Sequence, residues 1–124
     1  MLVELEKRGD ICVLRLHGRF ATGKDSSYLR GKTLEVKNSG CSRVLADFAQ
    51  VEYLDSTGIG FLIEIYTSVL KNVAGSFVLA NLNRRVREVL ELTRLANVMP
   101  IYPSEEAAFE ALSKSPGVSA KQAS

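Results

Sequence analysis

Short β-rich runs alternate with stretches of helical spacing along most of the chain. The first two runs, Leu2–Lys7 and Ile11–Leu16, flank the turn residues Arg8-Gly9-Asp10 and predict a hairpin. Helices and strands then alternate, which gives the predicted order β-β-α-β-α-β-α-β-α. This order is typical of a mixed, mostly parallel sheet with helices packed against it. We therefore predict an α/β fold of about five strands and four helices, with the helices in one layer on one face of the sheet.

The length allows one domain. The chain has 124 residues, which is enough for a single hydrophobic core but not for two. All predicted strands and helices fall within residues 1–114, which we take as the domain. Residues 115–124 (SPGVSAKQAS) lack apolar periodicity, and we expect them to form a disordered C-terminal tail.

The charge argues against a nucleic-acid partner. The net charge is +2, far below the basic excess of a general nucleic-acid binder. One predicted helix is rich in arginine, but Glu88 and Glu91 lie between the arginines, which is typical of a solvated, salt-bridged face. The functional alternative is a protein-docking face formed by these arginines, Arg84, Arg85, Arg87 and Arg94.

The apolar segments indicate a cytoplasmic protein without stable membrane insertion. The first ten residues, MLVELEKRGD, lack the apolar core of a signal peptide. The most apolar stretch, Ile59–Ile65, is interrupted by Glu64, and a membrane span needs about 20 apolar residues.

Candidate metal ligands are few. The spacing of Cys12 and Cys41 matches no zinc pattern, and His17 is the only histidine. We interpret both cysteines as thiols in or near the core of a protein from a reducing compartment. We interpret His17 as a surface or half-buried strand residue, and we expect neither a metal site nor a cofactor.

The most informative segment is DSTGIG, residues 55–60. A third strand is predicted over Arg43–Ala49, residues 50–54 are predicted to be a linker, and Asp55 can cap a helix over roughly Ser56–Asn72. The hydroxyls of Ser56 and Thr57 would lie near unpaired N–H groups and the positive end of this helix. A phosphate is tolerated at such a position, so the segment can carry a charge switch without unfolding the domain.

Two glycines and the helical spacing indicate which face a partner would use. Gly58 and Gly60 each cost roughly 1 kcal/mol relative to alanine inside a helix, and close approach of another backbone would compensate. The predicted buried stripe consists of Ile59, Leu62, Ile63, Tyr66, Val69 and Leu70. The opposite face, where we expect a partner, consists of Thr57, Gly60, Glu64, Thr67 and Lys71.

A purely structural explanation of this segment stays open. Asp55, Ser56 and Thr57 are common helix-capping residue types, and the glycines would also fit a tight turn.

The string VEYLDSTGIGFLIEIY resembles the signature of the STAS-domain anti-sigma-factor antagonists, the bacterial anti-anti-sigma proteins. The resemblance covers most of the chain. The early hairpin, RVLADFAQVEYLDSTG, SFVLANLNRRVREVLELTRL and the closing IYPSEEAAFEAL all follow the order of the family.

The resemblance implies a partner switch. Ser56 matches the serine that is phosphorylated in the family, Thr57 is a second candidate acceptor, and Asp55 matches the aspartate that precedes the serine. The unphosphorylated form would bind an anti-sigma factor and release a sigma factor. The anti-sigma factor would also be the ATP-dependent serine kinase, and a separate phosphatase would reverse the modification. The implied partner-binding residues are Asp55, Ser56, Thr57, Gly58, Gly60 and Glu64.

The chain departs from the family at one place. Family members often carry an acidic residue after a glycine that follows the second strand, whereas this chain has Gly18-Arg19-Phe20-Ala21. Ala21 supplies no carboxylate, and Arg19 adds a positive charge near the expected site.

The sequence bears on two other functions. A serine hydrolase needs a base and an oxyanion hole, but Ser56 lacks the G-x-S-x-G context and His17 lies at a strand end, so we do not expect an enzyme. A STAS domain that is not phosphorylated, acting as a scaffold or as an accessory subunit of a signalling or membrane transport complex, is the alternative to the switch.

Overall fold

The computed structural model describes residues 2–20, 26–72 and 75–114. The elements follow the predicted order. The strands are β1 (Leu2–Arg8), β2 (Ile11–Phe20), β3 (Arg43–Leu54), β4 (Ser76–Ala80) and β5 (Ile101–Tyr102). The helices are α1 (Ser26–Ser39), α2 (Ser56–Val69), α3 (Arg84–Leu92) and α4 (Glu105–Lys114), with a short 3-10 helix at Leu95–Asn97. Ala21 and the predicted tail, residues 115–124, lie outside the described residues.

The five strands form one mixed sheet in the order β1-β2-β3-β4-β5. The hairpin pair β1–β2 is antiparallel, and the three other pairs are parallel. Gly9 occupies the hairpin turn with a φ of 67°, a backbone conformation that glycine adopts without steric cost. The predicted α/β fold with a mostly parallel sheet is therefore confirmed.

Strand β3 is longer than expected. Residues 50–54, predicted to be a linker, continue the strand because β2 also extends, and Phe20 at its end pairs with Leu54. This extension carries the polypeptide directly from the sheet into α2.

The helices do not form one layer, so that prediction was wrong. Side chains that alternate along the strands point to opposite faces, and the apolar residues of β2 supply two separate cores. Helices α1, α2 and α3 pack on the larger core, which contains Leu14, and α4 packs through Ala108 and Leu112 on the smaller one, which contains Val13. Both faces of β2–β4 carry apolar side chains, and one helix layer would have left one of those faces in water.

Cys12 and Cys41 are joined in a disulfide, so the prediction of free thiols was wrong. Both are buried, as expected, with 0% and 5% of their surface exposed. The bond is possible because α1 returns the chain to the start of β3, which places the two Cα atoms 5.9 Å apart. Within the described ranges, no helix is long and apolar enough to cross a membrane.

Candidate functional site

Helix α2 begins at Ser56 because Asp55 caps it. The Asp55 Oδ1 atom accepts a 2.9 Å hydrogen bond from the Thr57 N–H, and the Asp55 carbonyl accepts the first helical bond from the Ile59 N–H. The cap leaves Ser56 exposed and Thr57 half-buried in the first turn. No acidic side chain lies in that turn, and the carboxylate at this helix end is that of the cap, Asp55.

The start of α2 is attached to the end of β2. The Asp55 N–H donates a 2.9 Å hydrogen bond to the carbonyl oxygen of Phe20, and the Phe20 side chain is buried. The Ser56 hydroxyl is therefore carried on a backbone segment held by both the sheet and the helix, at the carboxyl ends of two parallel strands. Ligands of open α/β sheets usually bind at this edge.

The two glycines have different surroundings. Gly58 is buried, and a Cβ atom there would collide with the side chain of Leu54 and lie 2.9 Å from the Phe20 Cβ. Gly60 is exposed, and a Cβ atom there would meet nothing within 4 Å. Gly58 therefore permits close packing against side chains, not the backbone approach that was expected. Gly60 leaves the outer surface of α2 without a side chain at that position.

The buried stripe of α2 differs from the predicted one. Leu62 and Val69 are buried as expected, but Ile63 and Leu70 are 42% and 43% exposed. Their places in the core are taken by Phe61 and Ile65, together with Gly58. The expected outer face is half-buried to exposed throughout; it consists of Thr57, Gly60, Glu64, Thr67 and Lys71.

An open groove of about 260 Å³ lies between α1 and α2 beside Ser56. Of the six predicted site residues, four line it: Ser56, Thr57, Gly60 and Glu64. Asp55 and Gly58 do not line the groove. Asp55 caps the first turn of α2, and Gly58 packs that turn against Leu54 and Phe20. The other residues of the groove are Leu29, Arg30 and Phe61.

Arg30 is the groove residue that sequence reasoning missed. It is exposed on α1 and, among the described residues, is the one cationic side chain that lines the groove. The sequence pointed to Arg30 only indirectly. Leu29 fits the buried spacing of α1, so Arg30, the next residue, must lie at the border of the buried face. Only the packing of α1 beside α2 shows which element that border faces.

Arg19 adds positive charge at the same edge of the sheet. Its guanidinium group lies 4.7 Å from the centre of the Tyr53 ring, a distance typical of a cation–π contact. Arg19 precedes Phe20, whose carbonyl accepts the Asp55 N–H, but Arg19 is not among the described residues that line the Ser56 groove.

Other candidates lie elsewhere. His17 is half-buried, as expected, and its Nε2 atom lies 3.0 Å from the Glu4 Oε1 atom, so it does not line the Ser56 groove. Among the described residues, no group of three or more histidine, cysteine or acidic side chains could hold a metal ion.

A charged cluster lies under α4, on the opposite face of the sheet. Burial pushes the pKa of Asp47 up, but hydrogen bonding with Glu105, Asn81 and the Ala49 N–H, together with the charge of Arg15, holds it below its ordinary value. The Asn81 Nδ2 and Ala49 N–H bonds to the Asp47 Oδ1 atom are both 2.9 Å long. Arg15 binds both Glu105 carboxylate oxygens. This cluster holds α4 on the sheet and does not reach Ser56.

Sequence comparison places these features in a known family. The STAS domain pattern matches residues 3–108. A TM1081 homologue from Thermotoga neapolitana is 36% identical over 76 residues, which are 61% of this chain and 66% of that relative, just under two thirds of its length. The anti-sigma F factor antagonist of Paenibacillus polymyxa is 21% identical over 83% of this chain and 87% of its own.

Solved structures show the same fold. The anti-sigma factor antagonist SpoIIAA in its unphosphorylated form superposes with a TM-score of 0.71 at 20% identity, over 91% of this chain and 99% of its own. Its phosphorylated form superposes with a TM-score of 0.67 at 23% identity, over 89% and 99% of the two chains. The sheet order, the helix that starts at the end of β3 and the match over residues 3–108 agree: this chain belongs to the STAS domain family.

Proposed function

We propose that this domain is an anti-sigma-factor antagonist that binds its partner through the Ser56 end of α2 and is switched off by phosphorylation of Ser56. The observation that carries the proposal is the position of Ser56. Its side chain is exposed in the first turn of α2 and lines an open groove, so that a kinase can reach the hydroxyl without unfolding the domain. The curated relative from Paenibacillus polymyxa is named an anti-sigma F factor antagonist, which supports the same role here.

Part of the surroundings of Ser56 attracts an attached phosphate. The first-turn N–H groups of α2 and the positive helix end attract a dianion. Arg30 lines the same groove and adds a full positive charge. The domain therefore tolerates the modification, and its effect falls on whatever docks at the groove.

The size of the switch follows from the charge. Phosphorylation adds about −1.5 to −2 charges, here beside the carboxylates of Asp55 and Glu64. A docking protein shaped for the neutral serine must then desolvate this charge or oppose it, which costs several kcal/mol. A loss of about 2.8 kcal/mol weakens binding a hundredfold.

The partners implied by this function are an anti-sigma factor with serine kinase activity and a phosphatase, both in the cytoplasm. The groove residues Ser56, Thr57, Gly60 and Glu64 would contact the partner, with Arg30 at the border. Asp55 and Gly58 would act indirectly by holding the first turn in place. We propose no nucleic-acid partner, since the net charge is only +2.

The test is a comparison of Ser56→Asp, Ser56→Ala and wild type in pull-downs from the cytosol of the source cells. We expect wild type and Ser56→Ala to retain an ATP-dependent kinase that also binds a sigma factor, and Ser56→Asp to lose it with little change in Tm. Ser113→Asp places the same charge on an exposed position of α4 and serves as the control that keeps binding. Equal retention by all four proteins would refute the switch.

A second measurement tests the chemistry. The retained kinase with Mg-ATP should add one phosphate to wild type, seen as an intact-mass increase, and none to Ser56→Ala. Thr57→Ala should still accept the phosphate. Binding without any phosphate transfer would favour the scaffold alternative.

A further inference from the structure

The disulfide lies at the end of the domain away from Ser56. Cys12 is at the start of β2, and Cys41 lies between α1 and β3. The two residues are 29 positions apart, so the bond closes a loop that contains the whole of α1. Cys12 is fully buried, whereas Cys41 is 5% exposed.

The two sulfur atoms differ in access. Cys41 lines an open groove of about 280 Å³ between the C-terminal ends of α1 and α2. Lys37 and Lys71 line the same groove and are exposed. Cys41 is itself only 5% exposed, but nearby ammonium groups favour the thiolate over the thiol. Cys41 is therefore the sulfur that a small reagent meets first.

Cys12 is fully buried next to Cys41. The Ser39 Oγ atom lies 3.3 Å from the Cys12 Sγ atom and accepts a 3.2 Å hydrogen bond from the Cys41 N–H. A third lysine, Lys7, donates a 2.9 Å hydrogen bond to the Ser39 carbonyl. One serine thus contacts both cysteines, of which Cys12 is fully buried and Cys41 lines the groove.

We propose that Cys12 and Cys41 form a reversible thiol–disulfide site that is oxidised by hydroperoxides and reduced by dithiols. The Cys41 thiolate attacks the terminal oxygen of the hydroperoxide, the O–O bond breaks, and a proton completes the alcohol or water that leaves, which gives a sulfenic acid. The Cys12 thiol then attacks the sulfenic sulfur, forming the S–S bond and releasing water. A dithiol reverses the reaction by two exchange steps, which restore both thiols and leave its own disulfide.

This site acts on α1. Oxidation ties the C-terminal end of α1 to β2, while the other end of the same helix carries Leu29 and Arg30 at the Ser56 groove. Reduction removes the tie and loosens α1 against the sheet. Two parts of this proposal rest on the proposed function. One is the consequence for partner binding, and the other is the use of the site in a reducing cytoplasm, where disulfides are mostly redox-sensing or catalytic. The reaction of the cysteines does not rest on that function.

The first test needs neither a partner nor a variant. Wild-type protein is treated with dithiothreitol or hydrogen peroxide and then unfolded in N-ethylmaleimide, which alkylates free thiols. The number of adducts is read from the intact mass. We expect two adducts after reduction under native conditions and none after peroxide, and a Tm about 10 °C lower for the reduced form, because the closed loop restricts the unfolded chain. A bond that dithiothreitol does not open in the folded protein, or thiols that peroxide does not join, would overturn the proposal.

Variants assign the roles of the residues. Cys12→Ala/Cys41→Ala should show one Tm in both reagents. In Cys12→Ala, peroxide should produce a sulfenic acid on Cys41 that dimedone traps. Lys37→Met/Lys71→Met should slow the peroxide reaction several-fold, and Lys114→Met, an exposed lysine of α4, should not. Equal rates in the two lysine variants would show that the groove does not activate Cys41.

The last measurement separates this site from the phosphorylation switch. Affinity for the retained kinase is compared between oxidised and reduced wild type. A several-fold difference in affinity that Cys12→Ala/Cys41→Ala abolishes supports control of α1 by the disulfide. Equal affinities of the oxidised and reduced forms refute that control. Failure of the Ser56 variants to alter binding would leave the mass and Tm results unaffected.

Discussion

The N–H of Asp55 is bonded to the carbonyl of Phe20, so the residue that caps α2 is also fixed to the end of β2. A helix that starts at a strand end is usually free to tilt about its first turn. Here the backbone bond and the side-chain cap on the Thr57 N–H act on the same residue. The direction in which Ser56 projects is consequently set by the sheet.

Removal of the cap should destabilise the domain modestly. Asp55→Ala deletes the acceptor of the Thr57 N–H, and we expect a loss of about 1 kcal/mol in the free energy of unfolding. Asp55→Asn keeps an oxygen at the same place and should lose only a few tenths. Urea unfolding measures both variants, and equal losses would mean that the carboxylate charge, and not the cap, stabilises the helix start.

The two glycines of α2 should respond oppositely to alanine. Gly58→Ala places a methyl group against Leu54 and Phe20 and should cost about 1–3 kcal/mol by overpacking. Gly60→Ala adds a methyl group in open space and should stabilise the helix by up to about 1 kcal/mol. Thermal unfolding of the two variants decides the point. A loss of similar size in both would contradict the different surroundings described for them.

Arg30 should lower the second pKa of a phosphate on Ser56. The ordinary value is about 6, and both Arg30 and the helix end favour the dianion. In protein carrying phosphoserine at position 56, a phosphorus NMR titration measures this pKa, which the Arg30 charge lowers and the Asp55 and Glu64 carboxylates raise. Arg30→Gln should raise it, and Arg87→Gln, exposed on α3, should not. Identical titrations in the two variants would place Arg30 too far from the phosphate to act on it.

Asp47 should make stability depend on acid pH. Because the pKa of Asp47 is lower in the folded than in the unfolded state, its ionised form stabilises the fold above the unfolded value of about 3.9. That contribution is lost as the pH falls through the folded-state pKa. Asp47→Asn should therefore cost about 1–3 kcal/mol at pH 7 and progressively less below about pH 4.

The control for this prediction is Glu52→Gln, which changes an exposed carboxylate of the same strand. Urea unfolding of both variants at pH 7 and pH 3 gives the comparison. A cost for Asp47→Asn that is the same at both pH values would show that the carboxylate is held by packing alone.

Local patterns were sufficient for the order of the elements and for their helix caps. Asp55 was identified as a cap and accepts a hydrogen bond from the Thr57 N–H; Asn83 and Ser104 accept corresponding bonds at the starts of α3 and α4. Caps and turns depend on residues close together in the chain, so a short stretch of sequence carries all the information they need. The position of Ser56 at a helix start was predictable for that reason.

The register of α2 was not predictable from its own residues. The stretch around Ile59–Ile65 is apolar on nearly every side, so several stripes satisfy the same spacing. The close contact of Gly58 with Leu54 and Phe20 selects the observed one. The contact with Phe20 joins residues 38 positions apart, beyond any periodicity.

The remaining differences also come from long-range packing. The use of the second sheet face depends on where α4 packs. The Cys12–Cys41 bond and the position of Arg30 beside Ser56 both depend on where α1 packs. Side-chain patterns show that a helix has an apolar face, but not which surface covers it. The chain thus specifies its strands, helices and caps locally, while the surroundings of Ser56 arise only when β2, α1 and α2 meet, because burial is a property of the assembled domain.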